Sequence, residues 1–432
     1  MSGRWWKHAE RSGPGMSKRR RAGARRNRAR GRGDDARRRG QARRSASAAP
    51  AAAGVVGPLD GGVVASTAIL AGLGIVMVYS TTAPLTIGSA LPPHFLRHLA
   101  AVAAGLLCIA VALRVPMTLW RRLALPLWAL GVAMLAFTLV AGIEVNGARR
   151  WIAIPGVGLR LQAAEFAKWA TILAVAAVAT HLNDRRNAPG RSLRVAAGLT
   201  LLPVALLLLQ PDFGSAAVLI AIVGLLLFVA GMPLRTLFLS GFAAGAGAAG
   251  YIALHSYALA RLRGFLDPWA TAGREGYQLV QSFVAFGRGG GLGVGIGDGR
   301  QKLFFLPEAH TDFVLSVVAE ELGLVGVLVV LGAFAALLVA GTRVAGRARD
   351  PFCRLVAFGM TAFVALPAAV NAGVVMGLLP TTGFTLPFIS FGANSLIVCS
   401  IAVGVLLRIA SHEVPPPRRR VASASPRGLL QT

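Results

Sequence analysis

The chain has 432 residues, 55% of them hydrophobic and 14% charged, with a mean hydropathy of +0.63 and a formal net charge of +28. Charge this sparse beside apolar runs this numerous excludes an ordinary soluble domain and points to a polytopic membrane protein. The positive charge is unevenly placed: residues 1–45 carry 17 Lys and Arg against Glu10, Asp34 and Asp35, which is half of the net total.

Residues 1–55 read as a disordered basic cytoplasmic tail that touches anionic lipid. No apolar stretch of about 7–15 residues follows the first charges, so this is not a secretory signal. Nucleic-acid binding would use the same electrostatics, but no recognition module accompanies the tail and none is expected. Met16 offers a second candidate start. Cys108, Cys353 and Cys399 lie far apart in apolar runs, without the spacing of a disulfide framework or a zinc site.

Apolar runs of about 17–25 residues predict ten membrane helices, near 63–80, 96–113, 123–141, 163–181, 193–209, 215–231, 236–254, 315–341, 353–376 and 389–409. They define an all-α membrane domain over 56–412, with a large outer loop at 255–312 and a cytoplasmic tail at 413–432. With the basic N-terminus inside, the cytoplasmic turns carry Arg114, Arg121 and Arg122, then Arg185, Arg186, Arg191 and Arg194, then Arg235, then Arg343, Arg347, Arg349 and Arg354. That agrees with the positive-inside rule and places both termini in the cytoplasm. Two outward connections run against the rule. One holds Arg149, Arg150 and Arg160, the other Arg261, Arg263, Arg274, Arg288, Arg300 and Lys302. Such a set suits an anionic ligand at the outer membrane surface, unless it only pairs with local acids such as Asp267, Glu275 and Glu308.

The first span ends in Val76-Met77-Val78-Tyr79-Ser80-Thr81, where Tyr79 reads as an interfacial anchor. After Asn146-Gly147-Ala148-Arg149-Arg150-Trp151-Ile152 comes Gln162, then Glu165 and Lys168, three apart on one helical face and able to pair. Pairing lowers the desolvation cost of both inside a membrane. Gln210-Pro211-Asp212-Phe213-Gly214-Ser215 reads as a helix start, with Asp complementing the dipole. Gln278 and Gln281 precede a glycine run, 289–299. That run is not a nucleotide-binding loop: no GK[ST] follows and no strand–turn–helix unit surrounds it, so its glycines serve close backbone packing.

Next come Arg300, Lys302, Glu308, His310 and Asp312, and the apolar helix resumes at Phe313. On residue type alone Asp312 fits a helix cap, although a carboxylate at the mouth of a membrane helix is costly without a partner or a role. Glu320 lies about 12 Å further along the helix, too far to complete a glycosidase-like carboxylate pair, and reads as a structural polar contact. Gly377 to Ser395 has no charge, two prolines and several hydroxyls, including Thr381, Ser390 and Ser395, and must be buried in protein or line a cavity. One helix-mouth carboxylate among cations and hydroxyls fits transfer of a group with an anionic leaving part: cations hold the phosphates, and the carboxylate takes a proton from the attacking hydroxyl.

These segments resemble the SEDS family (shape, elongation, division and sporulation), the membrane glycosyltransferases that polymerise peptidoglycan from lipid II. The resemblance covers about residues 63–410 and rests on G-Y-Q…Q-S, R-Q-K-L-F-F-L-P-E-A-H-T-D-F, E-E-L-G-L-V-G, Q-P-D-F-G-S and G-L-L-P-T-T-G-F-T-L-P-F-I-S-F-G. The P-E-A-H run looks like the FtsW division branch. Ala163 and Ala164 replace the family's Pro and Ser, and Ala393-Asn394 its Gly-Ser. The resemblance implies that Asp312 is the catalytic carboxylate and general base. It implies that Arg149, Arg150, Gln162, Glu165, Lys168, Gln210, Asp212, Arg261, Gln278, Gln281, Lys302, Glu308, His310, Thr381, Ser390 and Ser395 bind substrate. The implied setting is the bacterial inner membrane at the division septum, among membrane lipids and other divisome proteins, with a class B penicillin-binding transpeptidase as partner. No cofactor is certain; a divalent cation (Mg2+ or Mn2+) would suit a pyrophosphate, although no ligand spacing marks a site. The competing readings are a lipid II flippase and the RodA-like elongation or sporulation branch of the same family.

Overall fold

The computed structural model describes residues 57–85, 91–145, 148–154, 159–183 and 189–413. The basic tail expected at 1–55 and the C-terminal residues 414–432 lie outside them. Each apolar run carries a helix: α1 Gly61–Thr82, α2 Pro93–Arg114, α3 Met117–Ala141, α4 Ala163–Asn183, α5 Pro189–Leu209, α6 Phe213–Val229, α7 Leu234–Leu254, α10 Val314–Arg347, α11 Pro351–Val375 and α12 Ala393–Glu413. Eight of these are long and apolar enough to cross a membrane; the apolar parts of α5 and α6, Arg194–Leu209 and Phe213–Val229, are shorter. Each of the ten expected runs thus carries a helix, and eight of those helices have spanning length. The last helix starts at Ala393 rather than near 389, because Leu386 to Ser390 form a tight turn closed by Ser390 N–H donating to the Leu386 carbonyl, 3.0 Å.

Local chemistry sets the helix ends. Asp60 caps α1, its Oδ1 accepting from the backbone of Gly62 and Val63 at 3.0 and 3.2 Å. Prolines open α2 and α11, where a missing N–H costs nothing. Asp350 caps α11 and also pairs with Arg121 at 2.8 Å. The connection from α3 to α4, read as a loop, instead forms a small antiparallel sheet, β1 Ile143–Val145, β2 Ala148–Ile154 and β3 Leu159–Gln162, with Trp151 opposite Gln162. The 255–312 segment adds two more helices, α8 Ser256–Leu266 and α9 Tyr277–Gly289.

The core gathers around α4, α10, α11 and α12, where Trp169, Ile172, Phe352 and Phe363 are buried. Helix α7 buries none of its residues in the protein. Helix α10 is not continuous. Gly323 has φ +65 and breaks it into a short piece, 314–322, and a long piece, 324–347. The glycine run packs backbone to backbone against this break: Val294 and Gly295 donate to the carbonyls of Glu320 and Glu321 at 3.0 and 3.1 Å, and Leu324 and Val325 donate back to Gly290 and Gly291 at 2.9 and 3.2 Å. A Cβ on Gly323 would meet the Gly293 amide nitrogen, and a left-handed non-glycine residue costs about 1–3 kcal/mol before any clash. Gly323→Ala should therefore lower the unfolding midpoint in detergent clearly, whereas Gly332→Ala, where the added carbon meets nothing, should leave it unchanged.

Candidate active site

Asp312 sits in a tight turn just before α10. The Glu308 carbonyl accepts from the amides of Thr311 and Phe313 at 3.1 and 3.2 Å, which holds Glu308 at φ +55. Thr311 Oγ1 donates to Glu308 Oε2 at 2.7 Å. The turn thus directs Glu308, His310 and Asp312 from one short stretch. The Asp312 side chain keeps part of its surface exposed, yet the surrounding protein desolvates it and raises its pKa from 3.8 to about 7. Glu308 pushes it the same way, and Arg261 of α8 pulls it back. Burial holds His310 below the usual histidine range; Glu308 opposes that shift and His94 of α2 adds to it. His94 and Phe391 flank His310 with ring centroids at 6.3 and 5.9 Å.

The segment between α11 and α12 closes over this turn. Ser390 Oγ donates to the Thr311 carbonyl and accepts from the Leu386 amide at 2.8 Å. The Phe391 amide donates to the His310 carbonyl at 2.9 Å. Arg261 Nη1 donates to the Thr381 carbonyl at 2.9 Å, so α8 is tied to the same segment. Gly383, at φ +74, brings its backbone against the carboxylate: a Cβ there would lie 3.3 Å from Asp312 Oδ2. Asn371, in α11, donates from Nδ2 to the carbonyls of Asp312 and Phe384, both at 2.6 Å.

Phe384 links this cluster to the earlier motifs. Its ring lies 5.5 Å from Lys168 Nζ. Lys168 is buried and pairs with Glu165 at 2.8 Å, as the three-residue spacing predicts. The Phe384 ring also covers Gly214. Just before it, Gln210 is buried and donates from Nε2 to the Leu135 carbonyl at 2.8 Å and to Thr138 Oγ1 at 3.1 Å. Asp212 caps α6 through the Ser215 amide, 3.1 Å. Arg150 donates from Nε to the Gln210 carbonyl at 3.1 Å and from Nη2 to that of Pro211. Gln162, at the end of β3, is partly buried, and Arg149 lies on the surface, 3.6 Å from Glu144.

The structure thus brings Arg261, Glu308, His310, Thr381 and Ser390 around Asp312, with Glu165 and Lys168 reached through Phe384. Lys302 is engaged differently. It is buried, with Nζ 2.6 Å from Glu321 Oε1 and 2.8 Å from Ser80 Oγ. Ser80 bonds both oxygens of Glu321 at 2.8 Å. Glu320 is the structural contact its position implied: it pairs with Arg288 at 3.0 Å and accepts from the amides of Arg300 and Gln301. Gln278 and Gln281 are partly buried on α9. That helix docks through Ser282, which bonds Ser316 Oγ at 2.8 Å and the Val375 carbonyl at 2.7 Å. Ser395 lies in the first turn of α12, 4.0 Å from Cys399 Sγ. Among the described residues no group of three or more His, Cys, Asp or Glu side chains is arranged to hold a metal ion.

A model of the FtsW/RodA/SpoVE cell cycle proteins matches residues 62–414, nearly the whole of the described region. The chain belongs to this family. A probable peptidoglycan glycosyltransferase FtsW of Halomonas elongata is 41% identical over 375 residues, 85% of this chain and 94% of that protein. One from Trichlorobacter lovleyi is also 41% identical, over 79% of this chain and 90% of its own length. Among solved structures, a chain from a peptidoglycan synthase complex that coordinates polymerization and crosslinking matches with TM-score 0.68 and 32% identity, over 82% of this chain and 98% of that one. The rod shape determining protein RodA of Thermus thermophilus matches with TM-score 0.62 and 30% identity, over 83% and 98%. As a FtsW/RodA/SpoVE protein the chain is a multi-pass membrane protein, in keeping with the eight long apolar helices among the described residues.

Asn371 lies in no motif quoted above, and Ser80 and Phe384 lie within motifs that give them no role. Asn371 lies inside an apolar run, Ser80 looks like the polar end of a span, and Phe384 looks like one more apolar residue in an uncharged segment. A polar residue within an apolar run is the one usable signal, and it points to Asn371.

Proposed function

We propose that this chain polymerises lipid II into glycan strands, as a peptidoglycan glycosyltransferase of the division branch. The observation that carries the mechanism is the placement of the Asp312 carboxylate in its turn against the Gly383 backbone, where burial raises it to about 7 and the Arg261 cation pulls it back. A base is most effective when its pKa lies near the working pH. In the proposed step Asp312 removes the proton from the sugar 4-hydroxyl of one lipid II. That oxygen forms the new bond to the anomeric carbon of a second. The bond from that carbon to the pyrophosphate breaks with inversion, and undecaprenyl pyrophosphate leaves with the electron pair. Arg261 offers charge to the departing phosphates, and Glu308 and His310 orient the acceptor. Thr381, Ser390 and the Glu165–Lys168 pair form the surrounding wall.

The same reading puts the site on the outer face of the inner membrane, at the septum, with a class B penicillin-binding transpeptidase as partner. Polymerisation of purified lipid II in detergent by the chain with its cognate transpeptidase tests it. Glycan strands are expected without any sealed compartment. No product in detergent, with lipid II crossing sealed vesicles that contain the protein, would replace the polymerase with a transporter.

A further inference from the structure

We propose that Asn371 is a positioning residue for the reaction, setting the placement of the Asp312 carboxylate by holding the backbone on both sides of it. The inference rests on the assignment of Asp312 as the base. Its own support is geometric. Asn371 is 2% exposed, and its one amide nitrogen donates to two carbonyls from distant parts of the chain, Asp312 and Phe384, each at 2.6 Å. With two carbonyls as partners, only the amide nitrogen can face them, so the orientation of the side chain is fixed.

Both carbonyls need this donor. The Asp312 carbonyl precedes the first turn of α10, and the nearest turn bond, from the Ser316 amide, goes to Phe313 instead. Phe384 follows Gly383, whose backbone faces Asp312 Oδ2. Asn371 therefore fixes the distance between the strand of backbone that carries the carboxylate and the strand that lies against it. Through Phe384 the same amide also sets the ring that covers Lys168. The carboxylate's charged and titratable surroundings are Glu308 and His310 from its own turn, Arg261 from α8, and His94 from α2 behind His310. None of them reaches the Asp312 backbone as Asn371 does. A reacting group displaced by about 1 Å loses about 10²-fold in rate.

The test compares Asn371→Asp and Asn371→Ser with the full-length wild type, each with the partner transpeptidase, in lipid II polymerisation. Asn371→Asp keeps the shape and leaves at most one donor, the O–H of the protonated acid; Asn371→Ser leaves one small donor and no new charge. Both variants should retain a cooperative unfolding transition in detergent. Their kcat should fall about 10²-fold with KM for lipid II within about twofold. The acid limb of the pH–rate profile should move in opposite directions. A new carboxylate in Asn371→Asp disfavours ionisation of Asp312 and moves the limb up. The looser, wetter turn of Asn371→Ser favours ionisation and moves it down. A merely structural role would lower the unfolding midpoint and leave the limb in place. Wild-type kcat and profile in either folded variant would overturn the inference. So would loss of the folded state in both, which would assign Asn371 to stability alone. A wild type that makes no glycan would instead remove the reading of Asp312 on which the inference rests.

Discussion

An Asp312→Asn variant should lose glycan polymerisation by about 10²–10⁴-fold, the range for removing a general base, while remaining folded and bound to its partner. Asparagine keeps the size of the side chain and cannot take the proton. Wild-type enzyme should show an acid limb in its rate with a midpoint near the raised value of about 7. The sign follows from the role. The base works when deprotonated, so activity is full above the midpoint and falls about tenfold for each pH unit below it. Glu308→Gln removes the nearby charge that helps to raise Asp312, so it should shift that limb toward acid. A profile flat down to the ordinary aspartate range would separate Asp312 from the proton transfer.

The second large effect concerns stability. Lys302→Met should destabilise the protein by about 3–5 kcal/mol, because it leaves the buried Glu321 carboxylate without its cation. Lys302 and Glu321 are 6% and 1% exposed and 2.6 Å apart, and Ser80 cannot neutralise the charge. The double variant Lys302→Met, Glu321→Leu should recover most of the loss, since an apolar replacement of a buried pair is often neutral. Unfolding in detergent, followed for both single variants and the double, measures the coupling directly. A loss in the double variant equal to the sum of the two single losses would mean that Lys302 and Glu321 are not coupled.

What could be read from the sequence follows from how far apart the partners lie. The membrane helices declare themselves as apolar runs, and Glu165–Lys168 declares itself because a three-residue step closes the pair on one helix face. The glycine run could be read as a close-packing segment, though not what it packs against. Long-range polar partners were out of reach. Lys302 meets Ser80 across 222 residues and Asn371 meets Asp312 across 59, and no local pattern encodes either distance. The sheet between α3 and α4 is not legible in the sequence because its strands are only 3, 7 and 4 residues long, too short for alternation to stand out. Lys302 shows the opposite difficulty. Its place among other cations made it look like a ligand-binding charge, and only the fold reveals the carboxylate already beside it.

The break at Gly323 changes what α10 is for. The residues beyond it, 324–347, form a helix of about 36 Å at 1.5 Å per residue, enough to cross a hydrocarbon layer of about 30 Å unaided. The piece before the break, 314–322, is then free of the spanning task. It works as a short rigid strut of about 13 Å, with Asp312 just before one end and Glu320 and Glu321 at the other. Those two glutamates anchor the 288–302 stretch and the tip of α1. Backbone bonds from the glycine run to both sides of the break, Glu320 and Glu321 before it and Leu324 and Val325 after it, hold the two pieces at a set angle. The direction in which the strut presents the turn of Asp312 is thus set by contacts within the protein and not by the axis of the long piece.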